Sequence, residues 1–176
     1  YKVCILMLNL KMDIKEIKKI PILFGEQDII KTLTLMPGVS SGGEGKGGFY
    51  VRGGGSDQNL VLLDDAIVYN TGHLFGFFSV FNADAIKQIE LIKGGIPARY
   101  GGRLSSVLDI TMNDGNKKEY EVDGGIGLIS SRATLQGPIK KDTSSFIFSA
   151  RRTYIDILAT PFIPDTSNFK GSGYYF

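Results

Sequence analysis

Asn59-Leu60-Val61-Leu62-Leu63-Asp64-Asp65-Ala66-Ile67-Val68-Tyr69 is the stretch on which the fold turns. A nearly continuous aliphatic run of this length, bounded by turn-forming residues, predicts a strand covered on both faces. Asp64-Asp65 closes the run as a turn, and residues 66–69 extend it as a hairpin partner. Neighbouring strand residues point to opposite faces, so the two aspartates do not converge as a catalytic or metal-binding pair.

Reading backwards, Phe49-Tyr50-Val51-Arg52 predicts a shorter strand, joined to the first by the turn Gly53-Gly54-Gly55-Ser56-Asp57. Residues 40–48 hold five glycines and read as a flexible linker. Before them, Ile29, Leu33 and Met36 recur at +4 and +3 on one face of a short amphipathic helix. Asp28 is placed to cap that helix and Pro37-Gly38 to end it. Residues 13–24 mix charge with a helical apolar spacing.

Reading forwards, 76–81 is aromatic and loop-like, and Asn82 caps a short helix running to Ile86. Residues 88–93 alternate as a strand. A glycine-punctuated loop over 94–103 carries Arg99, Tyr100 and Arg103. Residues 104–112 alternate again, with Leu104, Ser106, Leu108, Ile110 and Met112 on one face. Asn113-Asp114-Gly115-Asn116 is a turn signal of the Asp-Gly kind.

After that turn the texture changes. Tyr120, Val122, Gly124, Ile126 and Leu128 share one face; Glu121, Asp123, Gly125 and Gly127 share the other. Ala133, Leu135 and Gly137 oppose Arg132, Thr134 and Gln136, and a polar connection follows over 138–143. Phe146, Phe148 and Ala150 then oppose Ile147, Ser149, Arg151 and Thr153. Transmembrane β-strands and soluble antiparallel sheets both produce this alternation. Arg152 falls on the apolar face, a position that fits only near a membrane interface or beyond the lipid band.

Composition bounds the alternatives. The 176 residues suffice for one ordinary domain and the start of another, and 43% are hydrophobic. Lys and Arg number 20 against 18 Asp and Glu, a net +2 that argues against a nucleic-acid partner. A single cysteine, Cys4, excludes an internal disulfide framework, and a single histidine, His73, excludes multi-histidine zinc motifs. The 23 glycines amount to about 13% against a usual ~7%, which favours turn-rich β-structure. The chain starts at Tyr1, and its apolar run over 3–8 is too short to span a bilayer and lacks a signal-peptide cleavage site. Both ends are read as cuts in a longer protein.

Gly43-Glu44-Gly45-Lys46-Gly47-Gly48 matches G-x-G-x-x-G literally, and Asp64 lies about twenty residues on. That fingerprint needs a strand before the glycines and a helix after them. The expected order here is reversed, so a nucleotide or phosphate role is unsupported. His73 has no sequence-visible partner and reads as a loop residue; Cys4 reads as a small apolar one.

Five short motifs, taken in order, are more specific. They are Leu35-Met36-Pro37-Gly38-Val39, Tyr50-Val51-Arg52-Gly53-Gly54 and Asn59-Leu60-Val61-Leu62-Leu63-Asp64-Asp65-Ala66, then Ile86-Lys87-Gln88-Ile89-Glu90-Leu91-Ile92-Lys93-Gly94-Gly95, and finally Pro97-Ala98-Arg99-Tyr100-Gly101-Gly102-Arg103-Leu104-Ser105-Ser106-Val107-Leu108-Asp109-Ile110. The series resembles the plug domain of TonB-dependent outer-membrane receptors. Its Tyr-Gly-Gly-Arg-Leu-Ser-Ser-Val sequence looks most like receptors of the Bacteroidota.

The resemblance implies an α+β fold: a small plug domain with a short mixed sheet and short helices over 13–115. It is followed by the first antiparallel strands of a truncated transmembrane β-barrel over 117–176. Residues 1–12 are a segment of uncertain role, and no TonB-contacting segment is identifiable in 1–9. About three strands fit into 117–176, so the chain is not expected to form a pore by itself.

Implied partners are TonB, the protein's own barrel, the outer membrane and a surface lipoprotein, with no nucleic acid and an unknown transported ligand. No catalysis, cofactor or metal is implied. The plug gates energised uptake of a scarce siderophore, vitamin, oligosaccharide or peptide across the outer membrane of a Gram-negative bacterium. Tyr69, Asn70, His73, Phe75 and Phe77 are candidate substrate contacts, and packing on the barrel wall is their alternative. Arg52 and Lys93 match the family's basic positions that face acids on the barrel interior. Lys93 stands where arginine is common and lacks its bidentate fork. Two rival readings stay open: a soluble periplasmic or secretin-like α/β binding or interaction module, and an enzyme holding phosphate on its glycine loops.

Overall fold

The computed structural model describes residues 9–17, 28–43, 48–73, 78–127, 130–154 and 174–175. They form two units that divide between Asn113 and Asp114. The first unit contains β1 (Asn9–Asp13), α1 (Ile14–Ile17), α2 (Ile29–Thr34), β2 (Val39–Ser41), β3 (Phe49–Val51), β4 (Asn59–Leu63), β5 (Ala66–Ile67), β6 (Gly72–His73), β7 (Phe78–Ser79), β8 (Ile86–Ile92) and β9 (Ser106–Met112). Single 3-10 turns occupy Ser56–Gln58 and Ala83–Ala85. Strand dominates over a few short helices, in keeping with the α+β expectation.

The central sheet has the order β1-β8-β9-β4-β5. It is mixed: β4 runs parallel to β9, and every other pair is antiparallel. β4 is covered on both faces, as its sequence demands. Val61 and Leu63 meet the larger core with Ile89, Leu91, Leu108 and Ile110; Leu60 and Leu62 meet Ile92 and Val107 on the opposite face. Ile96 and Tyr100, from the loop after β8, pack over that second cluster. Asp64 and Asp65 both adopt positive φ (45° and 67°), which gives a primed hairpin turn into β5. The Asp64 carboxylate also accepts from the Met112 N–H at 2.9 Å, so the turn is pinned to the end of β9.

α2 is only six residues long and depends on its surroundings more than on propensity. Asp28 caps it by accepting from Lys31 N at 3.1 Å. Ile29, Ile30, Thr32 and Leu33 are buried, and Leu33 shares the larger core with Phe49 and Val51.

Several expectations need correction. Residues 9–12, of uncertain role by sequence, and Asp13, expected to open the helical stretch, form an edge strand paired with β8 from Asn9↔Ile92 to Asp13↔Gln88. The helical spacing over 13–24 survives in α1; the remainder lies outside the described residues. The start of the 40–48 linker is strand: β2 pairs with β3, Ser40 opposite Tyr50 and Ser41 opposite Phe49. The aromatic stretch over 76–81 contributes β7, paired with β6. Leu104 is not in β9; the chain joins the sheet only at Ser106, and Leu104 is 85% exposed. Strands β2 and β3 flank the glycines of the G-x-G-x-x-G match, not a helix and a strand.

The second unit contains β10 (Glu121–Ile126), β11 (Ser130–Lys140), β12 (Ser144–Thr153) and β13 (Tyr174–Tyr175), an antiparallel meander. Asn113-Asp114-Gly115-Asn116 is therefore no hairpin, since β9 and β10 belong to different sheets. Part of the 138–143 connection is strand too, with a bulge between Pro138 and Lys140 and a turn of only three residues after it. Gly137 leaves room for the Tyr120 ring, which would collide with a Cβ there.

Candidate functional site

Several motif positions of the first unit meet in one hydrogen-bond network. Asn59 Nδ2 donates to the carbonyl of Phe49 at 2.6 Å and reaches those of Ser56 and Gly55 at 3.3 and 3.4 Å. Asn59 Oδ1 accepts from Ser106 Oγ at 2.7 Å, and Ser106 is fully buried. Next door, Ser105 Oγ donates to the Val51 carbonyl at 2.8 Å and Ser105 N to the Gln58 carbonyl at 2.9 Å. A Cβ at Gly54 would lie 2.5 Å from Ser105 Oγ, so this close approach requires glycine. The turn between β3 and β4 is thus clamped to the entry of β9 by side-chain hydrogen bonds. As sequence, Asn59 is merely the first residue of a strand, and its carbonyl partners leave no mark on the residue pattern.

The two basic positions carried over from the family converge on one corner, Pro37-Gly38. Arg52 is exposed and sits at φ 51°, a left-handed conformation uncommon for arginine; its N–H donates to the Gly38 carbonyl at 3.0 Å. Lys93 is 8% exposed, and its Nζ donates to the Pro37 carbonyl at 2.8 Å. A carbonyl satisfies one of the three ammonium N–H groups and none of the charge.

The candidate substrate loop is a small hairpin, β6–β7. Its base is held by Val80 N donating to the Thr71 carbonyl and by Ser79 N donating to Asp28 Oδ2 at 2.6 Å. Asp28 therefore serves the helix with one oxygen and the hairpin with the other. Tyr69 is 84% exposed at the approach to the hairpin. Asn70 Oδ1 accepts from Gly72 N at 3.0 Å in a local turn. His73 has its backbone in β6, opposite Phe78. The His73 side chain, Phe75 and Phe77 lie outside the described residues.

Beside Tyr69 a cleft of about 130 Å³ opens between the start of β3, the 3-10 turn Ser56–Gln58, β4 and the segment after β5. Asp57, Arg103, Ser56, Thr71 and Tyr69 supply its polar groups. Elsewhere in the unit, Tyr100 OH donates to Asp109 Oδ2 at 2.8 Å and accepts from Arg99 Nη2 at 2.7 Å. Burial, then the hydrogen bond and charge of Asp109, hold the Tyr100 phenol above its ordinary pKa; Arg99 opposes the shift. This tether fixes the loop after β8 over the smaller apolar cluster.

The family profile described as TonB-dependent Receptor Plug Domain matches residues 15–106, from α1 to the first residue of β9. No curated protein matches the chain. The matched span contains the clamp, the Pro37-Gly38 corner and the β6–β7 hairpin, and this is a family of outer-membrane transport receptors rather than of enzymes. The chain belongs to the TonB-dependent receptor plug domain family.

Proposed function

We propose that the first unit is the gate of an outer-membrane transporter and that β10–β12 begin the wall of its barrel. The observation that carries this reading is an inverted sheet. Val122, Leu135 and Phe148 stand opposite one another across β10, β11 and β12, and all three are exposed. On the other face Thr134, Arg151 and Thr153 are buried, and Thr134 and Ser149 share a hydrogen bond of 2.7 Å. Water selects the opposite arrangement; hydrocarbon outside and a polar lumen inside select this one.

In this reading TonB, driven by the inner-membrane proton gradient, remodels the plug and admits a siderophore, vitamin, oligosaccharide or peptide. Arg52 and the two remaining N–H groups of Lys93 face carboxylates of the barrel interior. Tyr69, Asn70, His73, Phe75 and Phe77 meet the substrate.

Spin labels in outer membranes from cells making the protein provide the test. Labels at Val122 and Phe148 should be relaxed by lipid-dissolved oxygen, and a label at Thr134 should not. Relaxation of the 122 and 148 labels by a water-soluble nickel chelate instead would overturn the wall assignment.

A further inference from the structure

The cleft beside Tyr69 gathers polar groups that the fold leaves unengaged. The Asp57 carboxylate, the hydroxyls of Ser56 and Thr71 and the Tyr69 phenol all belong to lining residues, and none makes a side-chain hydrogen bond among the described residues. Arg103 lines the same cleft, uses Nη1 on the adjacent Gly102 carbonyl, and forms no ion pair with Asp57. An exposed carboxylate and an exposed guanidinium thus line one small space without a direct ion pair between them.

Two glycines keep that space open. A Cβ at Gly48, itself at φ +101°, would come within 3.2 Å of the Ser56 Cβ. A Cβ at Gly55 would lie 2.5 Å from Asp57 Oδ1. A larger residue at Gly55 displaces the Asp57 carboxylate, and one at Gly48 is strained by its positive φ and crowds Ser56.

Size and charge restrict the ligand. The volume of about 130 Å³ is well below the ~300–1,000 Å³ of sites for drug-sized molecules. One small group enters, either free or as the end of larger cargo. A neutral sugar would gain hydrogen bonds and leave both charges uncompensated; a dipolar group compensates both, and charge-assisted hydrogen bonds are the stronger kind.

We infer that the cleft binds an amino-acid group, with a protonated amine against Asp57 and a carboxylate against Arg103. The Ser56 and Thr71 hydroxyls supply further hydrogen bonds, and the Tyr69 ring stands at the rim. This deepens the transport reading and rests on it, because among peptide-type cargo it selects the free amino acid or dipeptide that carries both charges in one small molecule.

The test is an NMR titration of the full 176-residue chain in detergent with three probes: alanyl-alanine, N-acetyl-alanine amide and glucose. Alanyl-alanine should shift the amides of Ser56, Asp57, Tyr69 and Thr71 saturably; the blocked amide and glucose should not. Asp57→Asn and Arg103→Gln are both surface changes that preserve the fold, and each should weaken alanyl-alanine binding by about tenfold or more. Equal binding of the blocked amide, preference for glucose, or no saturable shift with alanyl-alanine overturns the inference. The outcome separates from that of the transport reading. A silent cleft beside lipid-exposed 122 and 148 labels removes the amino-acid assignment alone; water-exposed labels beside saturable alanyl-alanine binding remove the barrel wall alone.

Discussion

β8–β9 in the first unit and β11–β12 in the second are both antiparallel pairs with two-residue alternation along much of their length, and they dispose of one apolar face in opposite ways. Ile89, Leu91, Leu108 and Ile110 are fully buried, with Lys87 turned outward. In the second unit Leu135 and Phe148 are exposed while Thr134 and Arg151 are buried. The alternation fixes which residues share a face; only the surrounding solvent fixes which face is hidden. One chain thus carries a sheet that hides its apolar residues and a sheet that exposes them.

The sharpest way to break this contrast is a matched pair of truncations. Leu108→Ala opens a cavity in the larger core and should cost about 2–5 kcal/mol. Phe148→Ala removes a bigger side chain from an exposed face, leaves no internal cavity, and should cost clearly less than Leu108→Ala in detergent. Chemical denaturation followed separately in each unit measures both. If Phe148→Ala proved as costly as Leu108→Ala, the second sheet would have a covered apolar face and the inversion would be lost.

Buried polar groups give a smaller contrast. Asn59→Ala strands the Phe49 carbonyl and the Ser106 hydroxyl together, at a cost of about 2–3 kcal/mol. Amide exchange should quicken at Ser105, whose N–H donates to the Gln58 carbonyl beside the clamp. Thr134→Val deletes a single bond between two hydroxyls and should cost about 1 kcal/mol. Equal costs would mean that the clamp is no more than one hydrogen bond, and its role in fixing the β3–β4 turn would fall.

Legibility in the sequence followed how local each feature's cause was. β4 and α2 could be read directly: one is four aliphatics between turn residues, the other an Asp cap with an i, i+4 apolar pair. β1 was missed although Asn-Leu-Lys-Met-Asp alternates polar and apolar: five residues with two apolar positions are too short for alternation to decide, and pairing with β8, some eighty residues away in sequence, makes it a strand. Ser40 and Ser41 looked like linker for the same reason. Leu104 extended an alternation that the backbone abandons. The clamp joins Asn59 to Ser106 across 47 positions, side chain to side chain, and Ser105 to Val51 across 54, through a carbonyl of the kind every residue owns. Tyr69 was legible as exposed and aromatic; the cleft beside it was not, since Asp57 and Arg103 come from separate loops.

The smallest effect concerns Tyr100, where the two faces of the first sheet differ. The larger core is covered by α2, capped by Asp28, whereas the smaller cluster is lidded by a loop tethered through a phenol to Asp109. Tyr100→Phe keeps the ring and removes the tether, at roughly 1 kcal/mol near neutral pH. The folded phenol holds its proton above the ordinary value, so the unfolded chain releases it first as pH rises. The tether's contribution is therefore complete below about pH 10, the ordinary phenol pKa, and disappears as pH climbs through the folded value. Subtracting the stability of Tyr100→Phe from that of the parent chain cancels the other titrating groups. The difference should be positive at about pH 8 and shrink steadily above about pH 10. A difference that stayed constant through that range would mean that the ring, and not its proton, holds the lid.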